Sequence, residues 1–172
     1  MSAILQTEGV VQAAIARLRQ IAPIGEPWGP SLTYPAITAI QAGDLGYLPV
    51  QENLLNNLPA VLVMVQEAVL ATENLSEAPP WDHFYQLRFS YVRRWTVDEE
   101  VVTAKHQETS ALADAFLIDR RLNGISTGLP QLGQARTTKV EFDTPEEAVI
   151  SSLGISDIFA TAFTVTVTGY EN

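Results

Sequence analysis

Two histidines and two runs of carboxylates are where this chain could do chemistry. His83 follows Asp82, a carboxylate able to orient an imidazole, but no third group is spaced to complete a metal site or a triad. His106 stands between Lys105 and Gln107 with no His-Glu-x-x-His pattern around it. Each suits a surface or hydrogen-bonded structural role. Asp98-Glu99-Glu100 and Glu146-Glu147 could serve acid–base work if burial drove their pKa values apart. The simpler reading makes the first a helix N-terminus and the second a solvated loop. Gly124, Gly128 and Gly133 lack the Lys-Ser/Thr pair that completes a phosphate loop. The chain has no cysteine, which excludes disulfides, thiolate catalysis and cysteine-based zinc sites. The expectation is a protein without metal or cofactor that is not an enzyme and holds together by packing.

The charge is uneven. The net charge is −10, and all ten basic residues fall at positions 17–19, 88–94 and 105–139. Between Arg19 and Arg88 there are seven acids and no base, and after Lys139 there are six acids and no base. Such a field disfavours tight binding to DNA, which needs lysine and arginine to displace counterions from phosphates. It fits either a plain soluble acidic surface or an acidic face that stays near nucleic acid without sticking to it.

A chain of 172 residues is most simply one domain, and 47% hydrophobic against 17% charged residues is a globular composition. The stretch MSAILQTEGVVQAAIARLRQ has no basic region followed by a continuous apolar run, so a secretion signal is not expected. The apolar run from Leu58 to Ala71 is broken by Gln66 and Glu67 and is too short to cross a bilayer. Asn74-Leu75-Ser76 fits the glycosylation pattern but reads as accidental in a soluble, intracellular chain.

The elements that must position these residues follow from periodicity. Residues 4–21 carry Ile4, Val11, Ile15, Leu18 and Ile21 at helical spacing, and Pro23 and Gly25 stop them. Residues 22–57 hold five prolines and four glycines with Trp28, Tyr34 and Tyr47 as apolar anchors. So long a connection is expected to be an ordered excursion lying across a neighbouring subunit. Residues 59–66 read as a buried strand, and 67–82, which include Trp81, as a second excursion. From Phe84 to Val97, Tyr85, Leu87, Phe89, Tyr91 and Trp95 alternate with Gln86, Arg88, Ser90, Arg94 and Thr96, which predicts a strand with one buried face. Arg93 falls on the aromatic face, where it must reach water or a carboxylate. A helix over about 99–123 opens on acids and ends on Arg120, Arg121 and Gly124. Short and long strands follow at 138–142 and 159–168. Arg88 and Arg94 form an outward basic stripe better matched to acidic patches of an adjacent copy than to nucleic acid.

Taken in order, the N-terminal helix, LPAVLVMV, FYQLRFSYVRRWTV, the helix ending ALADAFLIDRRLNG, and the pair TTKVEF and FATAFTVTVTGYE form a pattern. It resembles the tail terminator, or tail completion, proteins of long-tailed bacteriophages, including the Mu-like tail protein group. The resemblance covers nearly the whole chain as pattern and order, and the excursions at 22–57 and 67–82 exceed a minimal member. It implies an α+β fold: a mostly antiparallel four-stranded sheet with two main helices packed on it, plus long extended loops. It further implies a homohexameric ring in the virion, assembled in the host cytoplasm. Such a ring caps the tail tube protein, meets the head–tail connector or neck proteins, with the sheath protein a further candidate partner, and lets DNA pass without specific binding. Under that reading Glu67, Glu73, Glu77, Glu141, Asp143, Glu146 and Glu147 are candidate channel-facing acids, repelling phosphates. Trp28, Tyr34, Tyr47, Trp81, Arg88, Arg94, Arg120 and Arg121 are candidate subunit-interface residues. Two alternatives stand beside it: a neck or adaptor virion protein of twelvefold symmetry, and a small α+β enzyme or ligand-binding domain with a pocket on the aromatic sheet face.

Overall fold

The structure, a computed structural model, describes residues 7–43, 56–71, 82–94, 101–117, 136–142 and 158–170. Helix α1 (Thr7–Ile21) buries Val10, Val11, Ala14, Ile15 and Leu18, a stripe recurring every three to four residues, and leaves Gln12, Arg19 and Gln20 outside. A short 3-10 turn (Pro30–Leu32) precedes strand β1 (Ala39–Ala42), followed by β2 (Ala60–Ala71) and β3 (Asp82–Arg94). Helix α2 (Val101–Leu117), β4 (Arg136–Phe142) and β5 (Ile158–Tyr170) complete the described elements.

The strands form one five-stranded sheet in the order β1-β2-β3-β5-β4. β1 runs parallel to β2, and the other three pairings are antiparallel. Among the described residues the fold is therefore α+β with two helices, as expected, but the sheet is mixed and has a fifth strand. That strand is Ala-Ile-Gln-Ala inside the proline- and glycine-rich segment. Its Ile40 is buried beside Val61, and Arg19 of α1 donates to the Ile40 carbonyl at 3.3 Å.

A second difference lies in β2, which runs through Glu67 to Ala71 instead of ending near residue 66. Gln66 is an extra residue between the pairs Val65↔Leu87 and Glu67↔Gln86. A bulge of this kind reverses which residues face the core. Val61, Val63 and Val65 point inward before it, and Ala68 does so after it.

Both helices cover one face of the sheet, where Tyr85, Leu87, Phe89 and Tyr91 of β3 are fully buried. Phe89 and Phe163 stack with centroids 4.7 Å apart and planes 4° from parallel. Phe116 of α2 lies 5.0 Å from Phe89, and Phe142 of β4 lies 6.3 Å from Phe163. Pairs in this range contribute about 0.5–1.5 kcal/mol each beyond the area they bury. A smaller cluster of Ala60, Leu62, Val92, Ile158 and Ala160 occupies the other face.

Candidate interaction surface

Four polar side chains join α2 to the sheet. Arg93 sits on the aromatic face with its side chain nearly dehydrated, and its carboxylate is Glu108 of α2. Nε donates to Oε2 at 2.9 Å and Nη2 to Oε1 at 3.1 Å, a two-pronged pair, while Nη1 donates to the Arg94 carbonyl at 3.0 Å. One residue along the helix, the buried Thr109 hydroxyl shares a hydrogen bond with Thr161 of β5. Glu108 and Thr109 lie on the same helical stripe as Leu112, Ala113 and Phe116, so the polar pair sets α2's register while the apolar residues supply burial. The Arg93 guanidinium is thus engaged inside the fold, and the aromatic face is filled by helices.

The segment after α1 folds back on its own chain. Trp28 and Tyr34 pair across a seven-residue loop, with the Tyr34 amide donating to the Trp28 carbonyl at 2.9 Å. The Trp28 indole is 1% exposed, donates to the Pro35 carbonyl at 2.9 Å, and meets the Tyr34 and Tyr91 rings edge-on at 4.9 and 6.4 Å. Gly29, at φ +82, passes so close beneath Tyr34 that a Cβ there would stand 2.1 Å from the ring. Burial, followed by the charges of Glu108 and Asp114, raises the Tyr34 hydroxyl above the ordinary 10.0. The described part of 22–57 therefore packs on this chain's own core through Trp28 and Ile37. Trp28, expected at a subunit interface, is core.

The tip of that loop is unusual. Ser31 and Leu32 both have left-handed backbone, at φ +56 and +54, and Leu32 is 67% exposed. Such a conformation costs about 1–2 kcal/mol at each non-glycine residue.

Among the other expected residues, Arg88 is half-buried and Arg94 exposed, both on the face opposite the helices. Glu67 and Glu141 are exposed on that same face, at its two sides. Glu67 lies opposite Gln86 in β2, and Glu141 lies opposite Thr164 in β4, where it is paired with Lys139 at 2.6 Å. The described part of this face thus mixes both signs of charge. Glu73, Glu77, Asp143, Glu146, Glu147, Tyr47, Trp81, Arg120 and Arg121 lie outside the described residues, as do Asp98, Glu99 and Glu100. His83 is buried with Nδ1 2.7 Å from the Tyr85 hydroxyl. His106 is exposed on α2.

Two margins of the described sheet are open to either side. β1 pairs only with Ala60–Val63, so the outer side of β2 from Met64 to Ala71 meets no strand among the described residues. On the far side, β4 pairs only with β5. Val69, 38% exposed, marks the first margin and Phe142, 52% exposed, the second.

No protein-family model matches the chain, and no curated protein matches it. Among the described residues no three acidic or histidine side chains are grouped to hold a metal ion, and no helix is long and apolar enough to cross a membrane. Gly124-Ile125-Ser126-Thr127-Gly128 spells the Gly-x-Ser-x-Gly pattern of a nucleophile elbow. The pentad lies outside the described residues.

Proposed function

We propose that this chain is a structural virion protein whose copies close into a ring on the phage tail tube. The ring ends tube polymerisation, joins the tube to the head connector and leaves a passage for DNA. The observation that carries this reading is the pair of unlike sheet margins on opposite sides of one small domain, each marked by an exposed apolar side chain. A head-to-tail contact between two different surfaces, repeated by rotation, closes into a ring. Exposed strand edges need cover, and a neighbouring copy supplies it. The order of elements along the chain supports the tail-terminator assignment.

Native mass spectrometry of the purified protein tests it. Six copies per particle are expected, and twelve would instead favour a neck adaptor. A single copy at every accessible concentration overturns both. The pocket alternative has lost its polar group, since the guanidinium that would meet a ligand is clasped by Glu108.

A further inference from the structure

Leu32 is the most exposed large apolar side chain among the described residues, at 67%. It stands at the tip of a loop held at its base by the Trp28–Tyr34 backbone pair and the Trp28 indole bond to the Pro35 carbonyl. Inside the loop, the Leu32 amide donates to the Gly29 carbonyl at 3.0 Å and the Thr33 hydroxyl donates to the Pro30 carbonyl at 2.9 Å. The direction of the side chain is therefore set before any partner arrives. It is set at φ +54, which glycine or asparagine adopts far more readily than leucine. Leucine at this position strains the backbone and buries little of itself in its own chain. A rigid apolar tip of this kind binds without first losing loop entropy.

The charge pattern favours a second copy as what it meets. From Pro27 to Gly43 there is no charged residue, the longest such run in a chain of net charge −10. Two copies repel each other through their acids, and this neutral segment is where they can touch without that penalty. Ile24, 42% exposed, adds apolar surface just before it. We propose that Leu32 is the anchor by which one copy of this chain seats on a second copy, an inference that rests on the ring reading and names a contact within it.

Leu32→Gly separates this role from a role in the turn. Glycine suits the left-handed backbone, so at dilutions where both proteins are single copies the thermal midpoint of the variant should equal or exceed that of the native chain. By sedimentation velocity its association should weaken by about tenfold or more, the size of loss typical when a central apolar anchor is removed. Leu32→Met should assemble as the native chain does. If the native chain and Leu32→Gly form rings with equal affinity, the anchor is wrong and the ring stands. If the native chain never associates, the ring reading fails and the anchor with it. A lowered midpoint for Leu32→Gly in the single-copy state would place Leu32 in the fold instead and overturn the proposal.

Discussion

Arg93 and Glu108 each dehydrate a full charge, and the two-pronged geometry offsets that loss only while both are present. Removing either strands the other in an apolar layer. Arg93→Met or Glu108→Leu alone is expected to lower stability by about 3–5 kcal/mol in urea unfolding, whereas the double variant regains most of it. Strictly additive losses would mean the pair is not coupled. Half of this contact was legible beforehand: an arginine on the aromatic face of a strand demands a carboxylate. Its identity was harder to read, because Glu108 sits fifteen residues away in another element, as a polar break in an otherwise apolar stripe with Leu112 and Phe116. The spacing of those three residues was the available signal. His83 went the other way. Asp82 is its neighbour in sequence, and the strand's period of two also brings Tyr85, two residues on, onto the face of His83.

At the scale of elements, the loop of Trp28 to Tyr34 carries a hydroxyl whose ionisation is opposed by burial and by the acids of α2. Tyr34 has its hydroxyl raised by burial and by the negative charges of Glu108 and Asp114. The sign follows directly. An acid whose pKa is higher when folded contributes fully below the unfolded value of 10.0, and that contribution is lost as pH rises through the raised folded value. Unfolding midpoints should therefore fall above pH 10.0 in the native chain and fall less in Tyr34→Phe. Identical alkaline profiles would show that the loop does not dock beside α2's acids. Long, regular elements announced themselves through periodicity: α1 by its apolar stripe, and β3 by the alternation of Tyr85, Leu87, Phe89 and Tyr91 with Gln86, Arg88 and Ser90. β1 did not, because four residues give period-two alternation too little length to register against surrounding prolines and glycines. The end of β2 was misplaced for a related reason. The polar pair Gln66-Glu67 looks like a strand terminus in sequence, but in a sheet it is a bulge on an outer margin where polar side chains meet water.

For the whole molecule, charge and shape pull in opposite directions. Each copy carries ten net negative charges, and a ring places several copies side by side. If neutral apolar contacts hold the ring, salt should tighten it, since the Debye length shrinks from about 10 Å at 0.1 M to about 3 Å at 1 M and screens the repulsion. If arginine-to-acid pairs from Arg88 and Arg94 dominate, salt should loosen it. Sedimentation at low and high sodium chloride distinguishes the two, and the Leu32 contact predicts tightening. The topology has one more consequence. β5 comes last in the described order yet lies inside the sheet, between β3 and β4. On the ribosome β4 is therefore made before its only neighbour exists, and one flank of β3 stays bare until the same moment. The pairings of β5 with β3 and with β4 therefore become available together, once residues 158–170 have been made. Because β4 forms the second margin of the described sheet, that margin can be completed only after β5 has been made.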